Sequence, residues 1–182
     1  KNMLSSVGVV HIDGNGVGAI MRDLGDAHRH AKEAGVCTTA TEVKTMPDDD
    51  LQSFIMTVNK HLDNVVKDAI ALSWHEIQEL TPKTTVPIVP VLVGGDDVTV
   101  YTDGRYAIPF AEAYIRHYEK LTKDDDLLSV LAIVAGGKKP DAPERDHFEI
   151  RDYIIQNPGP LTASAGVAIV GRNFPFHIAY DL

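Results

Sequence analysis

Asp13, Asp96 and Asp97 are the residues whose types and spacing point to chemistry. Gly94-Gly95-Asp96-Asp97 lies between the apolar runs Val91-Leu92-Val93 and Val98-Thr99-Val100-Tyr101. This pattern predicts a β-hairpin with two adjacent carboxylates at its turn. A turn needs its glycines and at most one Asp. Two carboxylates side by side repel and raise one another's pKa, and a cation commonly holds such a pair. Asp13 closes the run Val7-Gly8-Val9-Val10-His11-Ile12 and opens Gly14-Asn15-Gly16-Val17-Gly18. If the two strands are neighbours, all three carboxylates gather at one end of a sheet. Hard oxygen ligands from separate elements suit Mg²⁺ or Mn²⁺, with waters and substrate phosphates completing the octahedron, and a two-metal site here could lower the pKa of an attacking hydroxyl and neutralise a leaving pyrophosphate. Gly14, Gly16 and Gly18 leave room for a phosphate chain, and the following helix offers unpaired N–H groups to it. The competing structural readings are a solvated turn for the hairpin and a helix cap for Asp13.

The elements that must position these residues are legible as patterns. Residues 7–12 form a β-branched run that reads as a buried strand, followed by helical spacing from Ala19. Residues 25–50 are polar and read as an insertion or mobile loop with room for a short helix. Phe54, Val58, Leu62, Val65, Ala69 and Leu72 recur at spacings of three and four, predicting a helix from about Leu51 to Leu80. Residues 88–93 read as a strand, with Pro87 and Pro90 placing its start at an edge. A second helix fits Ala107 to Leu121, with Phe110, Tyr114, Tyr118 and Leu121 on one side and Pro109 in its first turn. Residues 123–160 read as a second insertion or mobile segment. Within it, 127–134 is equally strand or helix, and 148–155 fits a short helix. Leu161 to Val170 reads as a central strand. Strands and helices interleave while two strands are hairpin-joined. This predicts an α+β fold with a mixed or antiparallel sheet and helices packed on it.

The chain has 182 residues, 44% hydrophobic and 24% charged, which suits one domain, 1–182, with its own core. The net charge of −9 argues against a broad nucleic-acid-binding face, which needs a basic surface. The lone Cys37 excludes an internal disulfide framework, so a cytoplasmic location is the expectation. No apolar run reaches the roughly 20 residues of a membrane-spanning helix. An apolar strand only a few residues from Lys1, and a helix-like pattern running into Leu182, read as a piece of a longer chain.

Strand, Asp, glycine-rich turn and helix, then a long helix, then a Gly-Gly-Asp-Asp hairpin: this order resembles the palm of the polymerase and nucleotide-cyclase superfamily. That superfamily includes GGDEF diguanylate cyclases and class III nucleotide cyclases. The chain most resembles the palm-bearing large subunit of type III CRISPR effector complexes, in which the hairpin is Gly-Gly-Asp-Asp. Its first motif corresponds to Asp13-Gly14-Asn15-Gly16-Val17-Gly18. Its last palm strand corresponds to Ser164-Ala165-Gly166-Val167-Ala168-Ile169, followed by Phe174-Pro175-Phe176. The resemblance implies a ferredoxin-like palm that converts ATP to cyclic oligoadenylate with divalent metal and loss of pyrophosphate. It makes Asp13 and Asp96 the main metal ligands, with Gly14 lending a backbone carbonyl. Asp97 becomes a second acid for metal or for the 3′-hydroxyl. It places Asn15, Gly16, Gly18, Gly94 and Gly95 along the nucleotide. The partners it implies are other subunits and guide RNA of such a complex, or a second palm. Asn15 stands where the family commonly has Asp, which removes one carboxylate. That departure keeps two alternatives open. One is a nucleotide-binding or scaffolding palm without turnover. The other is a different cyclic-nucleotide synthase of the superfamily, although the hairpin lacks the Glu-Phe ending of the diguanylate cyclases.

Other chemistry-bearing residues are given structural roles. His28, His30 and Cys37 match no standard zinc spacing. Trp74 reads as core or interface, Lys138, Lys139 and Arg172 as solvated charge, and His117 and His177 as surface or packed histidines. Lys123-Asp124-Asp125-Asp126 reads as a solvated loop.

Overall fold

The computed structural model describes residues 6–36, 51–81, 85–135, 159–171, 173–174 and 178. Along the chain run β1 (Ser6–Gly14), α1 (Val17–Arg22), α2 (Leu24–Glu33), α3 (Leu51–Leu80), β2 (Ile88–Gly94), β3 (Asp97–Asp103), α4 (Ala107–Asp124), α5 (Asp126–Ala135) and β4 (Ala163–Gly171). The fold is α+β, with one four-stranded sheet in the order β2-β3-β1-β4. Every neighbouring pair is antiparallel. The chain divides into two compact units. One holds residues 1–14, 63–118 and 163–182, and the other holds 15–62 and 119–162.

The first unit is the sheet with the adjoining parts of α3 and α4. β1 lies between β3 and β4, so its β-branched residues are flanked by strands on both sides. Val10 and Ile12 are fully buried and Val9 nearly so. On one face Val9 and Val170 pack with Val7, Tyr101 and Ala168. On the other face Gly8 lies directly against Ala107, which brings the start of α4 onto β1. The buried stripe of α4, Phe110, Tyr114 and Tyr118, is the side the spacing predicts. α3 and α4 are tied by Glu76, which accepts hydrogen bonds from Arg116 Nη2 at 2.7 Å and Nη1 at 3.3 Å and lies 2.9 Å from His117 Nε2. His117 therefore has a helix-pairing role. Trp74 is anchored the same way, donating from Nε1 to the Val86 carbonyl.

β2 is the edge strand and is exposed along almost its whole length. Pro90 is tolerated there, and the register shifts between Pro90 and Leu92. On α3 the expected apolar face holds through Ala69, but Leu72 is exposed and Ser73 is buried instead. Spacings of four overshoot a full turn by about 40° each, so the buried stripe drifts around a long helix and leaves Leu72 outside it. Ser73 satisfies its hydroxyl on the Ala69 carbonyl at 2.6 Å.

In the second unit, the short helix for which 25–50 left room is α2, which begins at Leu24 and buries Ala27 and Ala31. The ambiguous 127–134 segment is helical. Asp125 Oδ1 accepts hydrogen bonds from Leu127 N at 3.0 Å and Leu128 N at 2.9 Å, capping α5. The acidic run 124–126 is thus not a solvated loop: Asp124 ends α4, Asp125 caps α5, and Asp126 begins it. Asp125 Oδ2 lies 2.8 Å from His61 Nδ1, joining α3 to this junction. Among the described residues no helix is long and apolar enough to cross a membrane. Cys37, Lys138, Lys139, Arg172, Pro175, Phe176, His177 and the helix expected at 148–155 lie outside the described residues.

Candidate functional site

The register of the sheet assembles the site. β1 and β3 pair with Ile12 opposite Val98, and one step further along that ladder sets Asp13 beside Asp97. Asp13 also lies opposite Ser164 of β4. The hairpin turn is Gly95-Asp96. Gly95 has φ +60°, a left-handed conformation that disfavours a side chain. The tip is fastened to the end of β1, because Gly14 N–H donates to the Asp96 carbonyl at 3.2 Å.

The three acids reach one end of the sheet but lie on two sides of it. Strand alternation puts His11 and Asp13 on one face, with Thr99 and Asp97 opposite them. On that face the Asp97 carboxyl acts on that of Asp13, and His11 Nδ1 lies 3.0 Å from Thr99 Oγ1. Gly14 points to the face that α4 covers. A Cβ built on Gly14 would come 2.6 Å from Asp96 Cβ and 3.1 Å from Tyr118 Oη. Asp96 therefore reaches the strand end from the α4 side, and glycine at 14 is what lets it approach. Consistent with that split, no group of three or more His, Cys, Asp or Glu among the described residues forms a ready-made cation cage.

The electrostatics are those of crowded acids. The Asp13 carboxyl is pushed above its usual range by desolvation and by Asp97, with His11 opposing. Asp96 is pushed up by burial and by the charges of Asp97 and Asp13, although a backbone N–H opposes the shift. Among the described residues none of the three makes an ion pair. Mg²⁺ needs only one or two protein carboxylates when phosphate oxygens and waters complete its shell. The exposed Asp13, with Asp97 beside it and Asp96 across the strand end, meets that requirement.

Two tyrosines of α4 form the buried side of the site. Tyr114 and Tyr118 stack with ring centroids 5.9 Å apart. Burial pushes both phenols well above the usual tyrosine range; the charge of Asp96 acts on both and that of Asp13 on Tyr118. The Tyr114 hydroxyl is buried without a hydrogen-bond partner among the described residues. A polar group left so costs about 1–3 kcal/mol.

The glycine-rich turn departs from the expected phosphate cradle. The N–H groups of Gly14 and Asn15 are already taken, the latter by the Thr162 carbonyl at 2.8 Å. The Asn15 side chain also donates to Thr162 Oγ1 at 3.1 Å. Gly16, with φ +87°, caps α1, which has only six residues. Because Gly16 holds the cap position, Asp13 is not the helix cap. Gly18 and Gly94 have open space where a side chain would stand. Sequence reasoning passed over His11, Thr99 and the two tyrosines. A period-two reading of β1 puts His11 on the Asp13 face. Nothing in the apolar stripe of α4 marks Tyr118 as lying beside Gly14 at the strand end. Compared with known protein families and with curated proteins, the chain matches none.

Proposed function

We propose that this chain is a palm-type nucleotidyltransferase domain that acts on ATP with a divalent cation at Asp13, Asp96 and Asp97. The observation that carries the reading is the register that sets Asp13 beside Asp97, with the Gly14–Asp96 hydrogen bond fastening the hairpin tip to the same strand end. The connectivity supports a ferredoxin-like palm: read from the other edge, the sheet is β4-β1-β3-β2, with helices between β1 and β2 and between β3 and β4.

Asp13 and Asp96 would hold Mg²⁺ or Mn²⁺, with the Gly14 carbonyl and Asp97 beside them. Bound there, the cation supplies charge neutralisation for the triphosphate and a lowered pKa for an attacking hydroxyl. The 3′-hydroxyl oxygen of one nucleotide attacks the α-phosphorus of another. The bond from that phosphorus to the bridging oxygen breaks, and pyrophosphate leaves. Asp97 would be the second acid, for the cation or to accept the 3′-hydroxyl's proton. The product class is a cyclic oligoadenylate, as in the type III CRISPR large subunits that the motifs resemble. In that setting other subunits and guide RNA, or a second palm, are the partners.

One observation favours a second reading, a nucleotide-binding or scaffolding palm without turnover. Residue 15 presents no carboxylate, and its amide is bonded to Thr162. Labelled ATP with Mg²⁺ or Mn²⁺ separates the two. Cation-dependent pyrophosphate release that disappears in Asp96→Ala supports the enzyme. Tight ATP binding with no product, in the full chain with its partners present, establishes the scaffold.

A further inference from the structure

The face of the sheet that carries Asp13 supports an inference that rests on the cation-site reading above. Strand alternation puts Val9, His11 and Asp13 in one line on β1. The ladder sets Tyr101 beside Val9 and Thr99 beside His11 on one flank, and Ala168 and Gly166 beside the same two on the other. The face therefore changes character along its length. Val9, Tyr101 and Ala168 pack together, the His11 imidazole follows, and the acids come last. His11 is fixed in place, its Nδ1 lying 3.0 Å from the hydroxyl of the buried Thr99. Across from it β4 has no side chain. Gly166 is exposed, and a Cβ built there would meet nothing nearer than the His11 carbonyl at 4.0 Å. The imidazole thus stands beside a bare strip of backbone. Two residues of antiparallel strand, about 7 Å, separate it from Asp13, which is the reach from the phosphates of a nucleotide to its base. Two other directions from Asp13 are taken. Asp96 and Tyr118 fill the Gly14 side, and the N–H groups of Gly14 and Asn15 are already bonded.

We propose that His11 is a nucleobase-binding residue: the base of a nucleoside triphosphate held at Asp13 lies over Gly166 and stacks on the His11 ring. Thr99 is the positioning residue that fixes this ring. Histidine is among the side chains on which unpaired bases stack. Every base has a π-face, so such a stack sets where the nucleotide lies and is tolerant of the base it carries.

The test is calorimetric titration of the full chain, in Mg²⁺, with ATP and with inorganic tripolyphosphate, which has the phosphates and no base. The proteins are wild type, His11→Ala, His11→Phe, Thr99→Val and Asp96→Ala. The expected result is about tenfold weaker ATP binding in His11→Ala, with tripolyphosphate binding unchanged. His11→Phe keeps a ring and should retain most of the ATP affinity. Thr99→Val should weaken ATP binding less than His11→Ala and leave tripolyphosphate alone, a split that a merely structural role would not give. In the wild type the ring protons of His11 should move upfield with ATP and not with tripolyphosphate. Wild-type ATP affinity in His11→Ala, or an equal loss of both ligands, would overturn the base seat; the cation site would still stand if Asp96→Ala abolished binding of both. Unchanged binding of both ligands in Asp96→Ala would remove the cation site itself, and the seat with it.

Discussion

At the scale of single residues, the strand end is a place where stability has been given up. Asp13 and Asp96 both have raised pKa values. An acid whose folded pKa lies above its unfolded value holds its proton longer in the folded state, so the contribution of these two acids to stability is lost as pH rises from about 4 through their folded values. Asp97→Asn removes the charge that contributes to both shifts. It should raise the metal-free melting temperature at pH 7 by about 1–2 °C, the equivalent of about 0.5 kcal/mol for exposed charges, and weaken Mn²⁺ binding at the same time. Calorimetry with and without Mn²⁺ checks both; a variant that is less stable without metal contradicts the repulsion account. Gly14→Ala should cost about 1–3 kcal/mol in a denaturant titration, because its Cβ has Asp96 on one side and Tyr118 on the other. The acids were legible because each sits inside a local string, a strand end or a hairpin turn, that fixes where it goes. The tyrosines were not, because helical spacing reports burial and says nothing about what a buried hydroxyl faces.

At the scale of elements, boundaries turned on side chains that the periodicity does not weigh. The run 123–126 reads as a loop by charge alone, yet Asp125 turns it into the end of one helix and the cap of the next. The same residue pairs with His61. His61 is raised by its hydrogen bond to Asp125, and burial opposes that shift; Asp125 is lowered by His61 and by the α5 N–H groups, which outweigh burial. The pair's contribution is therefore full between about pH 4 and pH 6.5. It is lost as pH rises through the folded His61 value, and again as pH falls through the folded Asp125 value. His61→Ala should remove about 1 kcal/mol at pH 6 and progressively less at higher pH. Asp125→Ala should cost more at every pH above its titration, since the cap, worth about 1 kcal/mol, goes as well. Urea titrations at pH 6 and pH 9 measure both. An equal loss for the two variants would mean that the cap contributes nothing. The edge placement of β2 was readable from Pro87 and Pro90. The α2 helix was readable only as room for a short helix within 25–50, because two alanines between charged residues make an apolar stripe too weak to fix its bounds.

At the scale of the whole molecule, the α+β class and the antiparallel hairpin followed from strand and helix order. The strand order β2-β3-β1-β4 did not, because non-local pairing leaves no local signature in the chain. That order makes β1 and β3 neighbours, and so turns a turn motif and a distant Asp into one candidate site. The central claim is that a divalent cation binds where those strands end. The direct test is the pattern of paramagnetic broadening in the ¹⁵N–¹H NMR spectrum of the full chain as substoichiometric Mn²⁺ is added. The account predicts that the amides of Gly14, Gly95, Asp96, Asp97 and Ser164 are lost first, and that Asp96→Ala restores them. Broadening centred on the acidic run Asp124–Asp126, with the hairpin amides untouched, would contradict it.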